Sequence, residues 1–154
     1  MFNGFIFDLE GTIRRADILV PGADGVIQLL RKHRRRIVFL SNNSSQTREN
    51  EASKLTRLGI PTQPDEVISC MGKPSSLIIQ TALEIMGLNP EDCILIGDCL
   101  ETDIKMGKDS GIATGIVLTG VTDEKMLQKY KHTFLQPDFV FQSIADVQEL
   151  IIGR

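Results

Sequence analysis

Tryptophan is absent from the 154 residues, tyrosine occurs once, and aromatic residues make up only 5% of the chain. A surface that stacks nucleic-acid bases needs aromatic side chains interleaved with cations. That scarcity, together with a net charge of −3, argues against a nucleic-acid partner. The only histidines are His33 and His132, and neither accompanies a Ser or Cys nucleophile signature, so Ser/His/Asp hydrolysis is disfavoured. The three cysteines, Cys70, Cys93 and Cys99, are an odd number without a CxxC spacing. They define neither a disulfide framework nor a zinc site, and they fit a reducing cytoplasm. No apolar run approaches the roughly 20 residues that span a bilayer. No basic segment leads into an apolar one at the start, so neither secretion nor a membrane partner is expected.

The rest of the composition is that of an ordinary globular chain, 42% hydrophobic and 24% charged. Its length suits a single domain, 1–154, by the prior of about 150 residues per domain. Short apolar runs at 2–7, 37–40, 93–96, 114–118 and 139–141 read as buried strands, with a weaker one at 66–69. Helical patterns lie between them at 23–33, 47–58, 75–86, 101–110, 123–130 and 143–151. Strands alternating with amphipathic helices predict an α/β fold, a doubly wound and mostly parallel sheet in three layers, α/β/α. The punctuation agrees: Gly59, Gly87 and Gly111 each follow a helical run, where a C-terminal cap needs positive φ. The basic run from Arg31 to Arg36 could meet nucleic acid or a phosphorylated partner, but without interleaved aromatics it is expected to close the first helix, offsetting its dipole and staying solvated.

In open α/β sheets ligands bind beyond the carboxyl ends of the strands. After the first strand comes Asp8-Leu9-Glu10-Gly11-Thr12, and after the second comes Ser41-Asn42-Asn43. Gly97-Asp98 follows a later strand, with Asp103 five residues on, and Lys73 opens a helix. Carboxylates and a backbone carbonyl are hard oxygen ligands suited to Mg²⁺. Asp8 and Asp98, brought together from different strands, would repel unless a cation lay between them. Lys73 and the Ser41 hydroxyl would address phosphate oxygens, and phosphoryl transfer needs little beyond positioning and charge neutralisation. An Asp can itself be the nucleophile, forming an aspartyl-phosphate.

Asp8-x-Glu10-Gly11-Thr12, Ser41-Asn42-Asn43, Gly72-Lys73-Pro74 and Gly97-Asp98-x-x-x-Thr102-Asp103 together resemble the four motifs of the haloacid dehalogenase (HAD) superfamily. Val20-Pro21-Gly22, the run 39–45, Leu118-Thr119-Gly120-Val121 and Pro137-Asp138-Phe139-Val140 are similar to its NagD-like, nitrophenylphosphatase branch. The resemblance implies a Rossmann-like core and a Mg²⁺-dependent phosphatase acting through an aspartyl-phosphate on Asp8. By position, Asp8 would be nucleophile and metal ligand. Glu10 would ligate the metal through its carbonyl and act as general acid/base. Ser41 and Asn42 would bind phosphate, and Lys73 would balance charge on phosphate and nucleophile. Asp98 would complete the metal site, Asp103 would orient its surroundings, and Thr12 would shape the turn.

The chain departs from that pattern twice. Glu10 stands where the family has Asp, which leaves a carbonyl–metal contact possible but displaces the acid/base carboxyl by a methylene. Also, only Cys70-Met71-Gly72 separates the weak strand from Lys73, where the branch inserts a large α/β cap, so no cap domain is expected. The expected substrate is a phosphorylated small molecule or a larger phosphorylated one; an open site implies that a large substrate closes it, that another subunit of a homo-oligomer covers it, or that a cap has been removed. Two other functions compete with the phosphatase: an impaired core that binds Mg²⁺, phosphate or a protein partner, and a receiver-type phospho-acceptor.

Overall fold

The computed structural model describes residues 1–43, 45–69 and 74–152. Six parallel strands form the central sheet: β1 (Gly4–Asp8), β4 (Arg36–Ser41), β5 (Val67–Ser69), β6 (Cys93–Gly97), β7 (Ala113–Val117) and β8 (Phe139–Phe141), in the order β5-β4-β1-β6-β7-β8. The chain winds outward from β1 on one side and then on the other, as the alternation of strands and helices predicts. Every residue of β1 is buried, because helices cover both faces of a parallel sheet. Phe5 and Phe7 point to one face with Phe39, and Ile6 points to the other with Val38 and Leu40. The Phe5, Phe7 and Phe39 rings stack in succession with centroids 6.1 and 6.3 Å apart.

The helices α1 (Ala23–Lys32), α2 (Arg48–Leu58), α3 (Ser76–Met86), α4 (Lys105–Asp109), α5 (Glu124–Lys129) and α6 (Glu149–Ile152) follow the expected pattern with shifted ends. Val26, Ile27 and Leu30 of α1 share a core with Ile144, Val147 and Ile151. Ile78, Ile79 and Ala82 of α3 pack with Met106 of α4 on the opposite face. The α2 N-cap is Thr47, whose hydroxyl accepts the Asn50 N–H at 3.1 Å, and Gly59 closes the helix with φ 111°. Cys93 lies in the core, where burial pushes its thiol up to about 11, with the Asp92 and Glu91 charges adding to the effect.

Three local differences from the sequence reading bear on function. The segment after β1 forms a hairpin of two short strands, β2 (Arg14–Arg15) and β3 (Ile18–Leu19), which no hydrophobic alternation announces. The expected helix at 101–110 begins as a wide π turn over Leu100–Ile104 before α4. The last helical stretch divides into a 3₁₀ segment, Ile144–Gln148, and the short α6. The basic run contacts its own chain: Arg31 reaches Glu66 at 3.3 Å and Arg35 reaches the Asn3 side chain at 2.7 Å. Among the described residues, no helix is long and apolar enough to cross a membrane.

Candidate active site

The carboxyl edge of the sheet gathers most of the residues singled out in the sequence. Asp8 is the last residue of β1, Ser41 the last of β4, and Asp98 follows β6 directly. Parallel pairing of β1 with both β4 and β6 sets these ends side by side. One oxygen from each of Asp8, Asp98 and Asp103 lies within 4.8 Å of the others, and all three residues are buried. Asp103 reaches this cluster because the π turn folds it back onto the strand end. Its Oδ2 accepts the N–H groups of Asp98 at 3.2 Å and Cys99 at 3.3 Å. A π turn inside a helix often marks a functional site.

Burial raises the Asp98 pKa above the ordinary value of 3.8. The Val121 N–H, donating to its Oδ2 at 3.1 Å, opposes that rise, the Asp103 charge adds to it, and a hydrogen bond with Asp8 opposes it again. Three buried carboxylates without a shared cation repel one another, so the cluster suits a divalent metal held by hard oxygen donors. Gly11 (φ 84°) and Gly120 permit this crowding, since a Cβ on either would run into the Asp98 side chain. Gly120 lies in the loop beyond β7, which also sends the Thr119 hydroxyl to the Gly11 carbonyl at 2.8 Å.

A cavity of ≈ 250 Å³ opens above the cluster and is lined by Asp8, Glu10, Asn42, Asp98, Cys99, Thr102, Asp103 and Val121. Asn42 is exposed, whereas Ser41 and Thr12 are buried. The Ser41 hydroxyl oxygen lies 3.4 Å from both the Asn43 N–H and Glu51 Oε1, at the long end of hydrogen bonding. The Glu10 side chain is not part of the carboxylate cluster. Its Oε2 accepts from Arg14 Nη1 at 2.7 Å, and its Oε1 accepts the Ala16 N–H at 3.0 Å. Lys73, and the 70–72 position where a cap insertion would fall, lie outside the described residues.

The sequence reading missed Arg14, Glu51 and Gly120 as members of this neighbourhood. Arg14 Nη2 donates to both Glu51 oxygens, at 2.8 and 3.0 Å, across 37 residues of sequence. Arg14 sits in a polar stretch, and Glu51 lies on a helix rich in exposed charge; neither carries a local mark of burial. Only the Leu118-Thr119-Gly120-Val121 run offered a signal, through a glycine beyond a strand.

Residues 5–87 match the haloacid dehalogenase-like hydrolase model, and residues 70–147 match a second, HAD-hydrolase-like model. Sugar-phosphatase AraL of Bacillus subtilis is 41% identical over 80 residues, which are 52% of this chain and 28% of that protein. Dihydroxyacetone phosphatase of Corynebacterium glutamicum is 33% identical over 79 residues, 51% of this chain and 28% of that protein. The aligned part thus spans under a third of the curated relatives it matches. In fold, a 4-nitrophenylphosphatase from Thermotoga maritima superposes with a TM-score of 0.87 at 20% identity, over 96% of this chain and 97% of that one. NagD from E. coli K-12 superposes with a TM-score of 0.85 at 17% identity, over 94% and 98%. Each family model covers half of the chain or more, Asp8, Ser41 and Asp98 lie at the ends of neighbouring strands, and the chain belongs to the haloacid dehalogenase-like hydrolase family.

Proposed function

We propose that this chain carries a Mg²⁺-dependent phosphatase site that hydrolyses phosphate monoesters through an aspartyl-phosphate on Asp8. The observation that carries the reading is the meeting of Asp8, Asp98 and Asp103 within 4.8 Å at the carboxyl ends of β1 and β6. The phosphatases among the relatives support the same reaction class. Asp8, Asp98 and the Glu10 carbonyl would hold the metal, with Asp103 beside them; the metal supplies charge neutralisation for the nucleophile and the transferring phosphoryl group.

Asp8 attacks phosphorus with an oxygen lone pair, and the bond from phosphorus to the ester oxygen breaks. In its protonated form Glu10 would give the leaving oxygen a proton, and the resulting carboxylate, held by Arg14 and the Ala16 N–H, would take one from the water that attacks the aspartyl-phosphate. Inorganic phosphate leaves and Asp8 is restored. Ser41, Asn42 and Lys73 bind the phosphoryl oxygens, with Lys73 also balancing charge. The substrate is a phosphorylated small molecule or a larger phosphorylated partner, and a cytoplasmic setting fits the free thiols of Cys93 and Cys99.

The test is phosphate release from p-nitrophenyl phosphate with Mg²⁺. Asp8→Asn abolishes it on this reading; turnover that persists in Asp8→Asn refutes it. One observation favours a second reading, a core that binds Mg²⁺ and phosphate with little turnover: the Glu10 carboxylate is engaged by Arg14 and Ala16. Comparison with Glu10→Asp separates the two. An Asp variant that is faster than wild type favours the low-turnover reading, and one that is slower means that the Glu geometry is the working one and favours the phosphatase reading.

A further inference from the structure

We propose that Arg14 is a positioning residue that holds the Glu10 carboxylate at the mouth of the site, with Glu51 as its buried anchor. The proposal rests on the phosphatase reading for what Glu10 does. The Arg14 side chain is 6% exposed and that of Glu51 is 1% exposed, whereas Glu10 is 58% exposed. One face of the guanidinium therefore grips a carboxylate inside the protein, and the other presents Nη1 to a carboxylate at the surface. An exposed ion pair alone contributes little, because ordering two long side chains offsets the attraction. Here Arg14 is already ordered by its two bonds to Glu51 and by Nη1 donating to the Ala16 carbonyl at 3.2 Å.

Glu10 meets a matched pair of donors on this hairpin. Arg14 Nη1 donates to Oε2 at 2.7 Å, and the Ala16 N–H donates to Oε1 at 3.0 Å and to Oε2 at 3.3 Å. Both carboxylate oxygens are engaged, so a side chain with three torsions is confined to one place. The added methylene that distinguishes Glu from Asp at this position is the part that extends the carboxylate to the hairpin. Glu51 belongs to α2, which follows the Ser41 loop, so Arg14 also ties the loop after β1 to the helix after β4. A planar five-donor fork can serve both carboxylates at once, whereas a lysine ammonium cannot reproduce the paired geometry.

The test uses Arg14→Lys and Glu51→Gln, which keep side-chain bulk, with Asp8→Asn as a control. Turnover of p-nitrophenyl phosphate with Mg²⁺ is read alongside hydrogen exchange at the Ala16 amide. A misplaced reacting group can lose up to about 10²-fold in rate. On this proposal kcat falls about tenfold or more in both variants, KM changes less than about twofold, and Ala16 exchanges about tenfold faster. In a Glu10→Ala background, Arg14→Lys then changes kcat less than about twofold, because nothing remains to be positioned. An unchanged kcat in the folded variants, or an equal fall in the Glu10→Ala background, overturns the proposal. Wild type that does not hydrolyse the ester, or Asp8→Asn that does, refutes the phosphatase reading instead. In that event Ala16 exchange decides the holding role, which unchanged protection in both variants overturns.

Discussion

Asp98→Asn tests the electrostatics of the site directly, by making the metal-free protein more stable and the metal-loaded one less so. Asp98 is 7% exposed and shares a space of 4.8 Å with Asp8 and Asp103. At an effective dielectric near 20, two unit charges at that separation repel by about 3 kcal/mol. Three ionised carboxylates form three such pairs, and an amide at 98 leaves one. The full relief is not realised, because the surrounding groups and water rearrange to weaken the repulsion. A net gain of about 1–3 kcal/mol remains, or roughly 3–10 °C in Tm for a domain of this size. Asparagine keeps an oxygen for the Val121 N–H, so little is lost there.

The pH dependence follows from the direction of the Asp98 shift. Burial raises its pKa above 3.8, so the folded state binds this proton more tightly than the unfolded state does. Stability from that proton is fully present below 3.8 and is lost as the pH rises through the raised value. The advantage of Asp98→Asn is therefore absent in acid and grows toward neutral pH. Saturating Mg²⁺ reverses the order, since a ligand at about 1,000 times its Kd adds about 4.1 kcal/mol to the form that binds it. Thermal melts in EDTA and in Mg²⁺, at pH 4 and pH 7.5, measure all of this. A variant that melts below wild type in EDTA at pH 7.5, or that gains as much from Mg²⁺ as wild type does, refutes the reasoning.

Gly120→Ala places a methyl group against the Asp98 side chain, and the expected outcome is about tenfold weaker Mg²⁺ binding by calorimetry with the far-UV circular dichroism unchanged. Unaltered affinity would show that Asp98 tolerates the displacement. Asp138 binds the Thr114 N–H and hydroxyl at 2.9 and 3.0 Å and Lys108 Nζ at 2.9 Å. Burial works to raise its pKa, but the Lys108 and Thr114 hydrogen bonds outweigh it and leave the group below 3.8. Its stabilisation is present above 3.8 and fades as the pH falls through the lowered value. Asp138→Asn should thus lower stability by about 0.5–1 kcal/mol at pH 7, a small figure because the side chain is 43% exposed, and the difference should close in acid, as followed by urea unfolding.

Most of the strands could be read directly because β1, β4 and β6 are short apolar runs buried on both faces and bounded by polar residues. The same boundaries identified Asp8, Ser41 and Asp98, since a polar residue at the end of a buried parallel strand falls at the ligand-binding edge. The β2–β3 hairpin escaped notice because each strand has only two residues, too few for any period to register. The π turn escaped too: its residues read as ordinary helix, and the turn is tied to the strand end by bonds from the Asp98 and Cys99 N–H groups to Asp103.

Local order along the chain was enough to determine the α/β class, the strand ends that carry acids, and the family motifs. Those features depend on period and punctuation, which a sequence displays residue by residue. What Glu10 does with its longer side chain was decided only in three dimensions. Its partner Arg14 is four residues away, but the Glu51 that immobilises Arg14 is 37 residues further on, in another helix. An ion pair's worth is set by burial and by the groups around it, and no spacing in the sequence states either.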